Sequence, residues 1–301
     1  MTDMTPLLAV DGGGTSCRFA LIWEGQRLEH EGPGANLTSD FDGAVAALWE
    51  GLEALSAKAG VRLDVLAEVP TYLGLAGMIK PELGSRLADA IPLARLRVQE
   101  DRPAAVVGAL GLRRGVVAGL GTGSFVARQS AGGMAFVGGH GLVLGDDASG
   151  AWMGRSLLRQ SLRASEGMCD ATELTREVID TFGGASEIIL YAQAARPVDF
   201  ARLAPMVVAA AEAEDAVAVA LLQDGAAYIE RALLVLGWRA GEAFCLLGGV
   251  ANAYAGYLGV EIQASLVEPE GRALDGRWFW RNVSPPRLRR DNTGADGRTD
   301  L

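Results

Sequence analysis

The stretch AVDGGGTSCRFAL, Ala9 to Leu21, sets three glycines in a row between two apolar runs, with an acid before them and hydroxyls after. The runs Leu7 to Val10 and Cys17 to Trp23 are rich in β-formers and read as the strands of a hairpin. A glycine-rich turn lets backbone N–H groups converge on an anion with no Cβ in the way, and neighbouring hydroxyls add donors. The same residues can also do no more than close a tight turn. Farther along, GVVAGLGTGSFVARQ, Gly115 to Gln129, repeats the arrangement. Ala9-Val10-Asp11-Gly12-Gly13-Gly14-Thr15 lies over Ala118-Gly119-Leu120-Gly121-Thr122-Gly123-Ser124, which points to two related lobes.

Two facing hairpins could hold the phosphates of a nucleotide from both sides, through Gly12, Gly13, Gly14 and Thr15 on one and Gly121, Thr122 and Gly123 on the other. Asp11, at the end of the first strand, would then hold a magnesium ion, largely through water. Other phosphate motifs fit poorly. There is no G-x-x-x-x-G-K-[ST], and the G-x-G-x-x-G spacing fails at both hairpins, where Cys17 and Ser124 occupy the third place. A third cluster, Gly248-Gly249-Val250-Ala251-Asn252, ends the apolar run Phe244–Leu247. Such a strand end leaves flat backbone on which an adenine can lie, although an ordinary helix entry looks the same.

Between the hairpins the chain alternates strand and helix. Phe41, Ala44, Val45, Leu48, Leu52, Leu55 and Ala59 keep helical spacing, with Ser39 or Asp40 as cap and Gly60 as stop. VPTYLGLAG reads as a strand, KPELGSRLADAI as a helix, ARLRVQED as a strand and PAAVVGALGL as a helix. The pattern predicts a βαβ unit and a largely parallel sheet joined to the opening hairpin. Beyond Gly150 helices are expected at about 151–165, 171–182, 200–212 and 215–238, then a last strand, AFCLLGG. The fold class is thus α/β. The first lobe spans 1–110 and the second 111–282, while 283–301, polar and rich in Pro and Arg, reads as a disordered tail.

Composition narrows the function. The 301 residues are 50% hydrophobic, enough for one large or two ordinary cores. The net charge of −10 disfavours nucleic acid as the main partner, because phosphate backbones are held by clustered Lys and Arg. Cys17, Cys169 and Cys245 are scattered and form no C-x-x-C pair, which favours a reducing compartment and no cysteine-rich metal site. With only His30 and His140, a histidine zinc cluster or a Ser-His-Asp triad is disfavoured. Asp11 comes too early for a signal peptide and no apolar run is long enough to span a bilayer, so a cytoplasmic protein with no membrane partner is expected. The sequence leaves the oligomeric state open, with a homodimer as one possibility.

Asp11-Gly12-Gly13-Gly14-Thr15, Gly121-Thr122-Gly123-Ser124 and Leu247-Gly248-Gly249-Val250, in this order, resemble the two phosphate motifs and the adenosine motif of the sugar kinase/heat-shock/actin superfamily. Within it the chain most resembles the N-acetylglucosamine kinase branch, which shares a sequence family with the BadF/BcrA-type ATPases. GANL at Gly34–Leu37, QEDRPAA at Gln99–Ala105 and GGHGLVLGDDASGAW at Gly138–Trp152 carry that part of the likeness, and the whole covers about residues 7–276. The resemblance implies two ribonuclease-H-like (actin-like ATPase) lobes, ATP and Mg²⁺ at the bottom of the cleft, and a sugar between the lobes. It implies an ATP-dependent kinase acting on the 6-hydroxyl of N-acetylglucosamine or glucosamine.

A kinase of this kind needs a carboxylate near the acceptor hydroxyl. Asp101 follows one strand and precedes a helix, so it should stand at a strand's C-terminal end facing a cleft. It could equally cap the helix that Pro103 begins. The resemblance favours Asp101 as the base and assigns the sugar to Asn36, Asp101, Ser124, Gly139, His140, Gly141 and Asp146. Relatives usually read Asp-Glu-Gly-Ser where this chain has Asp146-Asp147-Ala148-Ser149, a change that could alter sugar preference. The segment from Arg277 to Arg281 also departs from the small-residue helix expected there. Three alternatives remain: a kinase for a different sugar, an ATPase that activates a partner enzyme through an iron–sulfur cluster, and a nucleotide-binding regulator. The ROK hexokinases fit less well, since their cysteine-rich zinc signature is missing.

Overall fold

The computed structural model describes residues 6–274. The proposed tail at 283–301 and the departure at Arg277–Arg281 lie outside these residues. Strands β1 (Leu7–Gly12), β2 (Ser16–Trp23) and β3 (Gln26–Pro33) open the chain, followed by helices α1 (Phe41–Ala59) and α2 (Leu63–Ala67). Then come β4 (Thr71–Leu75), α3 (Pro81–Ala90), β5 (Leu96–Glu100) and α4 (Arg102–Leu110). The second hairpin is β6 (Gly115–Leu120) and β7 (Ser124–Ser130), joined by β8 (Gly133–Gly138). A helical run follows: α5 (Gly150–Ser165), α6 (Glu173–Phe182), α7 (Ala185–Ala194), α8 (Pro197–Ala201), α9 (Ala204–Glu212) and α10 (Ala216–Val235). Strand β9 (Ala243–Leu247), a 3-10 helix (Ala251–Tyr257) and α11 (Val260–Gln263) complete it.

The internal repeat is visible in the sheets. One runs β3-β2-β1-β4-β5 and the other β8-β7-β6-β9, so each carries an antiparallel hairpin beside a parallel strand in the same order. Alternation along β1 sets its faces. Leu8 and Val10 join Phe19, Leu21, Leu48, Leu52 and Leu55 under α1, while Ala9 and Ala20 pack with Tyr72 on the opposite face against Ala104 of α4. Helix α4 then turns Val106, Ala109 and Leu110 to Val117, Ala127 and Cys245 of the second sheet. It is therefore packed between the two sheets. The chain returns to the first sheet at its described end, where Ala273 and Leu274 join the Ala9 face.

The expected caps hold. Asp40 caps α1 by accepting a hydrogen bond from the Gly43 N–H at 2.9 Å, and Gly60 ends it. Two edge strands, β3 and β8, and three short helices, α2, α7 and α11, add to the elements read from the sequence, and the single helix expected at 200–212 is divided into α8 and α9. The helix expected after Gly249 is a 3-10 turn. No helix among the described residues is long and apolar enough to cross a membrane.

Candidate active site

The first hairpin turn spans Gly13 to Ser16, with the Gly13 N–H donating to the Ser16 carbonyl at 3.0 Å. It is braced from behind by the GANL segment. The Ala35 N–H donates to the Gly13 carbonyl at 2.9 Å, and a Cβ on Gly34 would strike the Gly14 carbonyl. The second turn is built alike, with the Gly121 N–H donating to the Gly123 carbonyl at 3.0 Å. The Gly121 and Thr122 carbonyls accept from the Gly150 and Ala151 N–H groups, which anchors the turn on the start of α5. The two turns meet hydroxyl to hydroxyl: Thr15 Oγ1 lies 2.5 Å from Thr122 Oγ1.

The glycines divide by what a side chain would meet. At Gly12 a Cβ would collide with the Leu75 side chain, and at Gly123 it would fall 2.8 Å from Asp146 Oδ2, so packing favours glycine there unless those side chains shift. At Gly14, Gly121 and Gly249 a Cβ would meet nothing within 4 Å, and at Gly13 only an ordinary contact. None of these four has the positive φ that favours glycine. The fold itself does not need glycine at these positions. A ligand lying on bare backbone would need it, and surfaces this open could receive phosphates or a flat ring. Gly248 belongs to the first group, since its Cβ would strike the Leu120 carbonyl, and it seats the last strand against the second hairpin. Asn252 stands exposed on the following 3-10 turn.

Two carboxylates stand at strand ends of the first sheet. Asp11 pairs with Gly74 across the parallel β1–β4 ladder, and Gly74 pairs with Gln99 of β5. A Cβ on Gly74 would lie 3.5 Å from the Asp101 Cα, so a glycine separates the strand ends that carry the two acids. Burial raises the Asp11 carboxyl above its usual range, countered by Arg18, whose Nη1 is 3.6 Å away. Asp101 is pushed up to about 6, mainly by burial and then by the charges of Asp11 and Glu100. Asp101 sits at the N-terminus of α4, yet its side chain makes no capping hydrogen bond. The capping alternative is therefore not what the structure shows.

The other expected sugar residues are partly committed to the scaffold. Asn36 Oδ1 accepts from the Thr38 and Ser39 N–H groups, both at 3.0 Å, which uses its two lone pairs and leaves Nδ2 to donate. The Ser124 hydroxyl donates to the Asp147 carbonyl at 2.6 Å. Asp146 is only 7% exposed, and its Oδ1 accepts from the Gly141 N–H at 3.2 Å. It thus ties the Gly139–Gly141 turn to the second hairpin. Burial raises its carboxyl, offset by the Ser124 and Gly141 N–H groups. His140 is exposed beside it on the turn. Ala148 is fully buried at φ +65°, so the glycine of the resembled motif answers a left-handed backbone that alanine occupies here at a cost of about 1–2 kcal/mol.

Sequence reasoning missed Arg18, Gly77, Arg102 and Tyr228. Arg18 could have been found from the hairpin register, which puts it directly across from Asp11. A Cβ on Gly77 would strike Asn36 Oδ1, and one on Gly138 would strike the Tyr228 hydroxyl. Those contacts have no local signal. Glu100 also lines a cavity of about 620 Å³ walled by Met78, Lys80, Arg97, Pro103 and Met134, which none of the expected site residues lines.

The profile of the BadF/BadG/BcrA/BcrD ATPase family matches residues 8–272. The chain is 28% identical over 295 residues to the glucosamine kinase GspK of Vibrio cholerae, covering 96% of this chain and 99% of that one. A solved structure from Chromobacterium violaceum, assigned as an N-acetylglucosamine kinase, superposes with a TM-score of 0.80 at 29% identity, over 92% of this chain and 99% of that chain. A second, from Porphyromonas gingivalis and assigned likewise, gives a TM-score of 0.70 at 22% identity over 92% and 99%, and shows the fold. The two-sheet architecture is that of the actin-like ATPases. With its glycine hairpins, its acids at the strand ends and a family match over nearly the whole described chain, this protein belongs to the BadF/BadG/BcrA/BcrD ATPase family.

Proposed function

We propose that this chain is a cytoplasmic ATP-dependent kinase that transfers the γ-phosphate to the 6-hydroxyl of an amino sugar, glucosamine or N-acetylglucosamine. One observation carries the reading: Asp101 is half-buried at a strand end beside Asp11, raised to about 6 and not spent as a helix cap. The likeness to the Vibrio cholerae and Chromobacterium violaceum proteins supports the substrate class. In this reading the lobes divide near residue 110 and the cleft between them holds both substrates.

Gly12, Gly13, Gly14 and Thr15 with Gly121, Thr122 and Gly123 would cradle the phosphates, and Gly248, Gly249 and Asn252 would flank the adenine. Mg²⁺, held by Asp11, water and the phosphates, would neutralise charge on the transferring group. No cluster of three or more His, Cys, Asp or Glu occurs among the described residues, so most of its ligands would be phosphate oxygens and water. Asn36 Nδ2 would donate to a sugar hydroxyl, with Ser124, Asp146 and the Gly139-His140-Gly141 turn shaping the pocket. Asp101 would orient the acceptor hydroxyl and take its proton as the phosphoryl group leaves ATP.

The activator alternative is less well supported. It needs thiolates free to bind a cluster. Cys17 and Cys245 are buried, and burial pushes both thiols up, Cys245 to about 11. Cys169 is exposed in the α5–α6 connection.

The test is a panel of glucosamine, N-acetylglucosamine, N-acetylmannosamine, glucose and gluconate, with the product examined by ³¹P–¹H correlation. Coupling of phosphorus to the C6 protons of an amino sugar is expected, and a preference for glucose or gluconate would overturn the substrate class. A related prediction concerns Gly77, whose φ is +75° and whose Cβ would displace the Asn36 amide. Gly77→Ala should raise the amino-sugar KM by about tenfold or more and leave that for Mg-ATP nearly unchanged. Equal effects on both substrates would remove Asn36 from the sugar site.

A further inference from the structure

The residue that follows Asp101 reaches across to the second sheet. Arg102 opens α4, and its Nε is ion-paired with Glu100 at the end of β5. From there its Nη1 donates to the Gly138 carbonyl at 3.2 Å, while the guanidinium lies over the Phe136 ring, 4.9 Å from its centroid. Gly138 ends β8, and the next residue, Gly139, has φ +78°. A Cβ on Gly139 would fall 2.5 Å from Arg102 Nη1, so glycine at this position makes room for the guanidinium as well as for the backbone. The Arg102 side chain is 22% exposed, so the contacts are formed partly out of water.

These contacts join two parts of the proposed site. On one side lies the β5–α4 junction that carries Asp101. On the other lies the turn Gly139-His140-Gly141, which Asp146 holds through the Gly141 N–H. We propose that Arg102 is a positioning residue that sets the acceptor turn against Asp101, gripping Glu100 on one side and Gly138 with Phe136 on the other. Arginine suits this task because its planar fork can serve a carboxylate and a carbonyl at once while its face stacks on an aromatic ring. Lysine offers a point charge on a flexible stem and cannot span all three partners.

The proposal rests on the amino-sugar kinase reading and makes a claim of its own. The partners of Arg102 described above are Glu100, Gly138 and Phe136, not the glycine turns, so its loss should displace the acceptor relative to the base while sparing the nucleotide. The experiment is steady-state kinetics and thermal melting of the full chain as wild type, Arg102→Met, Arg102→Lys and Gly139→Ala. Arg102→Met should raise the amino-sugar KM and lower kcat, each by about tenfold or more, with the Mg-ATP KM within about twofold of wild type. Arg102→Lys should recover part of both losses. Gly139→Ala keeps the arginine but crowds it, and should reproduce the split.

Sugar parameters within about twofold of wild type in Arg102→Met would overturn the proposal. So would an equal rise in both KM values, which marks a general structural role. Should Arg102→Met fail to fold, Gly139→Ala decides, and an unchanged sugar KM there overturns the proposal. A wild type that phosphorylates no amino sugar overturns the function and the clasp together. An active wild type with an indifferent Arg102 overturns the clasp alone.

Discussion

Asp101→Asn is expected to lower kcat by at least about a hundredfold while leaving the KM for Mg-ATP within about twofold. Asparagine keeps the shape and most of the hydrogen bonding of aspartate but cannot take the acceptor's proton. A helix-capping role would predict survival of turnover, because asparagine caps nearly as well as aspartate. The structure already disfavours that role, since the side chain makes no capping bond. With the carboxyl raised to about 6, wild-type kcat should fall as the pH drops below that value, because the protonated form cannot act as a base. That acid limb should be absent from the residual activity of Asp101→Asn.

The same shift predicts a stability effect of opposite sign. The folded-state value lies above the ordinary value of 3.8, so the folded chain binds the proton more tightly and loses stability as the pH rises from about 4 to about 6. At pH 7 wild type bears the cost of a half-buried charge beside Asp11 and Glu100, which the neutral amide avoids. Asp101→Asn should therefore melt higher than wild type at pH 7, and the advantage should vanish near pH 3. A variant that loses turnover and melts lower at pH 7 would point to disrupted packing instead of a lost base.

The second large effect is expected at the open glycines. Gly121→Val and Gly14→Val should each lower kcat/KM for Mg-ATP by about a hundredfold, because a side chain would stand where phosphate must meet backbone N–H groups. A Cβ at either position meets nothing within 4 Å, so melting temperatures should change by no more than about 3 °C. Gly12→Val, where a Cβ would collide with Leu75, should instead unfold or destabilise the protein. Near-normal turnover in both open-glycine variants at moderate Mg-ATP would reduce the hairpins to simple turns.

What the sequence disclosed follows physical lines. Elements with a strong local signature were legible: the glycine hairpins, α1 with its Asp40 cap and Gly60 stop, and the β4-α3-β5-α4 alternation. Strands β3 and β8 were not. QRLEHEGP is polar along its length because it lies at a sheet edge with alternate residues in water, and GMAFVG is short and bounded by glycines. Helix α7 hid for a similar reason: Ile188 is buried, but Ile189 and Leu190 beside it are exposed, so the apolar run keeps no helical face.

At the site, individual residues could be named, but their division of labour could not. Nothing local shows that Asn36 Oδ1 is committed to the Thr38 and Ser39 N–H groups, or that Asp146 holds the Gly141 turn. Arg102 is adjacent to Asp101 in sequence, yet its partners Gly138 and Phe136 belong to another sheet. Long-range pairing of this kind is set by the docking of the two sheets about α4.

The most direct test of the central claim is the dependence of ADP release on acceptor. Purified protein is given Mg-ATP with and without glucosamine or N-acetylglucosamine, and ADP and inorganic phosphate are followed together. If the cleft transfers phosphate to a sugar, an amino sugar should raise ADP release by about a hundredfold or more, with little inorganic phosphate formed, because sugar binding completes the site and excludes water. ADP release at the same rate without sugar, matched by inorganic phosphate, would contradict the account and identify an ATPase instead.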